Sequence, residues 1–182
     1  MQKVCLTRLF ILFTFFPFVH TFAGERTPFS SQSLQGTWVI TKLESKIVLD
    51  GEESTQEYFK NGNNHSKLTF MPNGQFEAIE MRAPQQNGKL ETSSFSGVYS
   101  LEEKTGKISL QFKDPSDSQV IHLFFKVQAT AEGIALLVDK EELFQSMDYI
   151  SAKDSFMQTF NELFKQSVQS YSTHYILRKS YQ

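Results

Sequence analysis

The sequence predicts an all-β fold, an eight-stranded antiparallel up-and-down barrel with a helical insertion before its last strand. Three observations predict it. From Leu34 onward, short apolar or alternating runs recur between turn residues, the pattern of an antiparallel sandwich or barrel. Between 140 and 172 the turn signals vanish and the apolar residues take helical spacing. The alternating pattern then returns for one closing strand. Closing such a sheet into a barrel removes exposed edges and leaves an interior that side chains fill or that holds one small ligand.

The first 23 residues predict a cleavable secretory signal. Lys3 and Arg8 form its basic start, Leu9–Val19 its apolar stretch, broken only by Thr14 and Pro17, and Thr21-Phe22-Ala23 its cleavage site. That stretch is too short for a spanning helix, which needs about 20 apolar residues. Gly24–Ser33 is polar and is expected to be a disordered lead-in to a single domain at 34–182. The expected location is therefore the periplasm or the extracellular space, with no stable membrane anchor. Cys5 is the only cysteine and lies inside the signal, ahead of where a lipid-modified cysteine would stand. Cleavage would leave no thiol for a disulfide, a nucleophile or a zinc site. It would also leave sixteen basic against twenty acidic side chains, a net charge of −4, which argues against nucleic acid as a partner.

The first strand is expected at about Thr37–Leu43, with a looser continuation to Leu49, and a polar, turn-rich stretch follows from Asp50 to His65. Ser66–Met71 and Gln75–Arg82 form the clearest hairpin, joined by Pro72-Asn73-Gly74, with positive φ expected at Asn73-Gly74. Further strands are expected at Ser94–Leu101, Lys107–Phe112, Gln119–Val127, Ile134–Val138 and Thr173–Lys179. Within the insertion, Glu141–Met147 suggests a short helix. Phe156, Phe160, Leu163, Phe164 and Val168 form one stripe of a longer helix, about Asp154–Gln169, which Asp154 or Ser151 would cap. That stripe is expected to pack on the barrel near one opening. A free short helix would be marginal and would leave large apolar side chains in water.

Four segments resemble the exported bacterial lipocalin-like domains. Leu34-Gln35-Gly36-Thr37-Trp38 is similar to that family's first strand, which begins with Gly-x-Trp. Leu68-Thr69-Phe70 with Asn73-Gly74-Gln75-Phe76 is similar to its second hairpin, and Phe95-Ser96-Gly97-Val98-Tyr99 to the strand that follows. Tyr175-Ile176-Leu177-Arg178 resembles its last strand. The resemblance covers Leu34 to Val138 and Tyr175 to Lys179. It implies a barrel whose closed end is plugged by Trp38, with a late basic residue packed over the ring; Arg178 is the natural candidate.

Two readings of the interior stay open. Phe70, Phe76, Tyr99, Phe112 and Phe124, with Trp38, could point inward and line a pocket for a small apolar ligand, or could simply fill the core. Phe156, Phe160 and Phe164 would be a lid over such a pocket, an ordinary core contact, or a surface for a protein partner. His65, His122 and His174 lack the spacing of a metal motif, and no cofactor is expected. No Gly-x-Ser-x-Gly elbow or phosphate-cradling glycine loop occurs, and Glu77 and Glu80 fall on opposite faces of a strand. The expected function is therefore non-enzymatic: binding of a small hydrophobic molecule, or service as an interaction module with a packed barrel.

Overall fold

The computed structural model describes residues 29–58, 66–82, 91–114, 119–151 and 155–180. The expected signal, residues 24–28 of the lead-in, His65 and the candidate cap Asp154 lie outside them.

A short helix α1 (Ser31–Leu34) leads into strands β1 (Gly36–Leu49), β2 (Glu52–Tyr58), β3 (Lys67–Phe70), β4 (Gln75–Arg82) and β5 (Glu91–Glu102). Strands β6 (Lys107–Lys113), β7 (Val120–Thr130) and β8 (Gly133–Asp139) follow. Helices α2 (Lys140–Ser151) and α3 (Ser155–Ser167) precede the last strand, β9 (Val168–Lys179). Neighbouring strands pair antiparallel in the order β2-β1-β3-β4-β5-β6-β7-β8-β9, and β9 returns to β1. The closed barrel thus comprises eight strands, β1 and β3 to β9.

The ninth strand, β2, extends the sheet beyond β3 along the same edge of β1. It occupies part of the stretch expected to be turn-rich. Glu52-Glu53-Ser54-Thr55-Gln56-Glu57-Tyr58 has no apolar alternation, because most of it is exposed. The signal for it lies in the turn: Asp50 and Gly51 have φ of 48° and 88°, the two consecutive positive angles of a tight hairpin.

The β3–β4 hairpin pairs Lys67–Phe70 with Phe76–Ile79 around Pro72-Asn73-Gly74. Only Gly74 takes a positive φ, 79°, so the expectation for Asn73 is corrected. The Gly74 N–H donates to the Met71 carbonyl at 3.2 Å, and Gly74 then supplies the left-handed residue of a three-residue loop. Asn73 contributes through its side chain, whose Oδ1 accepts from the Gln75 N–H at 3.1 Å.

One end of the barrel is plugged. Phe29, Leu34 and Trp38 are buried there, and the Trp38 Nε1–H donates to the Leu34 carbonyl at 2.7 Å. Phe29 is therefore part of the core's stopper, and Ser30–Ser33, expected to be a disordered lead-in, caps and begins α1, the Ser30 Oγ accepting from the Ser33 N–H. Phe70, Phe76, Ile108, Ile134 and Leu177 close the floor above it.

The other end is completed by a helix. β8 pairs with β7 only over Lys126–Thr130 and stops at Asp139, leaving the first half of β7 without a strand on that side. α2 runs into this interval. Its Ser146 Oγ accepts from the Phe124 N–H at 3.1 Å, and Leu143 and Met147 join Ile47, Val168 and Tyr171 in a second apolar cluster. α2 thus acts as a stave of the wall. α3 lies on α2 as an outer layer, through Phe144 against Phe164 and Asn161 against Asp148.

Candidate ligand site in the helix-flanked half of the barrel

Side chains alternate along a strand, and directly paired residues on adjacent strands share a face. Leu177, Tyr175, Thr173 and Tyr171 on β9 therefore face inward, opposite Ile40, Leu43, Ser45 and Ile47 on β1, where a bulge between Ile40 and Lys42 keeps the alternation in phase. On β7 the inward residues are Leu123, Phe125 and Val127.

This parity corrects two expectations. Phe124 lies on the outer face of β7, its ring 5.6 Å from Tyr149 of α2, and the core position belongs to Phe125. Arg178 follows inward-facing Leu177 and so points outward; its side chain is 62% exposed and pairs with Glu132 at 3.1 Å. The cation over Trp38 is Lys179, the direct cross-strand partner of Trp38, with Nζ 5.3 Å from the ring centre.

The remaining predicted residues divide by level. Phe70 and Phe76 are sealed in the floor. Tyr99 stacks edge-on against Phe70 and its hydroxyl donates to the Met71 carbonyl at 2.9 Å, tying β5 to the β3–β4 turn. Phe112 is different. It faces inward, lies 4.5 Å from the Phe95 ring in a stacked pair, and keeps part of its surface open. Ile40, Phe95, Leu123 and Tyr175 do the same: each packs against the main core yet is only partly buried. Phe95, Leu123 and Tyr175 were not among the expected site residues; the alternation Phe95-Gly97-Tyr99 and Tyr175-Leu177 is the signal that would have found them.

The inward face of the β1–β9 pair carries hydroxyls. Ser45 and Thr173 are hydrogen-bonded to each other, and Thr173 also bonds the Tyr171 hydroxyl at 3.0 Å. All three are buried, and burial raises the Tyr171 phenol above its ordinary pKa.

A charged cluster holds the stave in place outside the barrel. Asp139 caps α2, its Oδ1 accepting from the Glu141 N–H at 2.9 Å. Lys126 Nζ lies 2.6 Å from Asp139 Oδ2 and 3.1 Å from Oε1 of the fully buried Glu142. Burial works against the charged form of Asp139, but Glu142, Lys126 and the Glu141 N–H together hold its pKa at about 2. Glu142 is pushed up, first by burial and then by the neighbouring Asp139. The carboxylates of Asp139, Glu141 and Glu142 approach one another closely enough for a shared cation, yet Lys126 and Lys107, the latter 3.0 Å from Glu141, already supply positive charge. The cluster serves as a helix cap and an ion-pair latch.

The possible lid residues lie on α3. Phe164 packs on Phe144 of α2, Phe160 stacks on Phe164 at 6.3 Å, and Phe156 is 65% exposed. The stripe reaches the barrel in part: Phe164 packs against the cluster of Ile47, Val168 and Tyr171, while α2 occupies the wall beside it and Phe156 stays exposed. Among the described residues, no helix is long and apolar enough to cross a membrane.

No curated protein and no solved structure gives a match to the chain. The family model described as a lipocalin-like domain (DUF4923) matches residues 23–172, which takes in both insertion helices as well as the strands up to β8. With an eight-stranded antiparallel barrel entered through Gly36-Thr37-Trp38 and matched over most of its length, the chain belongs to this lipocalin-like domain family.

Proposed function

We propose that the protein is an exported binding protein that holds a small apolar molecule in the helix-flanked half of its barrel. The observation that carries this is the contrast in burial along the inner face. On β9, Leu177 is 0% and Thr173 2% exposed, while Tyr175 between them keeps open surface. Phe112 and Leu123, on the inward faces of β6 and β7, likewise keep part of their surface open. Apolar walls with a few placed polar groups are the usual make-up of a small-molecule site. The absence of a motif for nucleophilic or phosphate chemistry, together with a charged cluster whose geometry is that of a cap, favours binding over catalysis.

Export rests on the basic, apolar and small-residue segments of the first 23 residues. The test joins both parts. Native mass spectrometry of the protein purified from the envelope of producing cells is expected to give a chain beginning at Gly24 with a retained small molecule. A chain that keeps residues 1–23 would contradict export, and a bare chain that also takes up no apolar probe would contradict the binding site.

A second reading has its own observation. Helix α3 buries Asn161 while Leu163 is 60% exposed, so part of its apolar surface faces away from the rest of the fold. A protein partner covering that surface would make the domain an interaction module; loss of a co-purifying partner on Leu163→Ser would support it.

A further inference from the structure

We infer that Asp139, Glu142 and Lys126 form a one-proton switch on helix α2: with the proton bound the helix is held on the barrel wall, and with it lost the first turn lifts from β7 more readily. The switch goes beyond the proposed binding site and needs no ligand to operate. Its geometry is a shortage of positive charge in a closed place. Glu142, in the first turn of α2, is fully buried. Both of its oxygens are shut off from water, and neither is in a formed hydrogen bond among the described residues. Lys126 lies 3.1 Å from Glu142 Oε1, but it is already 2.6 Å from Asp139 Oδ2. Lys107 of β6 is nearer to Glu141, at 3.0 Å, than to Glu142, at 3.8 Å. Two carboxylates thus share one close ammonium, and their oxygens, with those of Glu141, lie within 4.8 Å of one another. Carboxylates held this close do not both ionise freely, and the one cut off from water keeps the proton. Burial, and after it Asp139, accordingly raise the pKa of Glu142.

The other charged groups on the neighbouring elements are engaged elsewhere. Glu102 of β5, in register with Lys107, accepts from the Thr105 hydroxyl. Lys140 donates to the Val168 carbonyl of β9, and Asp148 accepts from Lys165 and Asn161 of α3. His174 of β9 stands between Leu137 and Glu44, and His122 of β7 stacks on Tyr149, toward the other end of α2. The part that moves is one turn from the switch. The Ser146 hydroxyl donates to the Glu142 carbonyl and accepts the Phe124 N–H, on the stretch of β7 that β8 does not pair. Lifting the first turn therefore frees an identified backbone amide. In the lifted state Glu142 meets water and returns to the ordinary carboxylate range, so closing takes up a proton and is favoured as pH falls from neutral.

Amide hydrogen exchange of the protein between about pH 7.5 and about pH 5, corrected for the intrinsic pH dependence of exchange, reads this opening. The Phe124 amide is expected to be protected about tenfold or more less than the ladder amides around Leu177, the mark of a local opening, and its protection to rise about fivefold or more on acidification. Glu142→Gln, which carries no charge at any pH, is expected to flatten that dependence at the level the native protein reaches in mild acid. Should this variant not fold, the Glu142 carboxyl signal followed by NMR in the native protein decides: its midpoint is expected to coincide with the step in Phe124 protection, and a midpoint in the ordinary carboxylate range would overturn the switch. A Phe124 amide as protected as those around Leu177, a protection that does not change with pH, or a pH dependence that survives Glu142→Gln would each overturn it as well.

Discussion

At the plugged end of the barrel Phe70, Phe76, Ile108 and Leu177 are closed to water, whereas at the helix-flanked end Phe95, Phe112, Leu123 and Tyr175 face the same interior and keep part of their surface open. The materials of the two ends explain the contrast. The plugged end has strands on every side and a stopper built from Phe29, Leu34 and Trp38. The other end exchanges a strand for helix α2, fixed by a latch of charges and by one hydroxyl on the free edge of β7. The region that binds would then be the region that is less completely packed, as expected when stability and function are divided within one small fold.

The largest effect should come from removing an aromatic from each level. Phe76→Ala is expected to lower stability by about 3–5 kcal/mol, the range for a sealed core phenylalanine. Phe112→Ala should lower it by about 1–2 kcal/mol, because that ring is already partly hydrated. Urea melts of the two variants measure this directly, and equal losses would erase the distinction between the two ends.

The latch comes next. Lys126→Met leaves the buried Glu142 without its nearest cation and should destabilise the domain by about 2–4 kcal/mol at neutral pH. Its pH dependence has a definite sign. The Glu142 pKa is raised in the folded state, so protonation stabilises the fold and stability rises as pH falls from neutral through that pKa. Asp139 acts oppositely: its depressed pKa contributes stability above the ordinary carboxylate range that is lost as pH falls toward about 2. Melting temperatures of the native protein should pass through a maximum in mild acid, and the deficit of Lys126→Met should shrink there as Glu142 takes up a proton. A deficit that grows with acidification would contradict the latch.

The smallest effect concerns the stopper. Lys179→Met should lower stability by about 0.5–1 kcal/mol through loss of the cation over Trp38. Arg178→Ala, which breaks only an exposed pair with Glu132, should change it by less than about 0.5 kcal/mol. Thermal melts showing the reverse order would restore Arg178 to the closed end.

Much of the barrel was legible because its strands are buried on one face and therefore alternate. Ile108-Leu110-Phe112 and the Met71–Gln75 turn could be located to within a residue or two. What was missed follows from the same physics. β2 is exposed on both faces, so it carries no alternation, and only Asp50-Gly51 marked it. Phe124 and Phe125 are adjacent and equally apolar, so a sequence alone does not say which of them meets the core and which meets a helix packed outside. Arg178 and Lys179 pose the same problem with charge, and it is the cross-strand register to Trp38 that decides it. The insertion helices were recognised by their spacing, but their order of packing was not. The apolar stripe of α3 suggested a direct contact with the barrel; Phe164 makes one, but α2 holds most of that place through Leu143 and Met147, and α3 buries a polar Asn161.

The most direct test of a divided barrel is side-chain NMR of the protein titrated with naphthalene, following the aromatic and methyl signals of both ends in one experiment. The account predicts saturable shifts at Ile40, Phe95, Phe112, Leu123 and Tyr175, with Phe70, Ile108 and Leu177 unmoved. Shifts centred on the plugged end, or on the outer helix at Phe156 and Leu163 with the barrel signals unchanged, would contradict it.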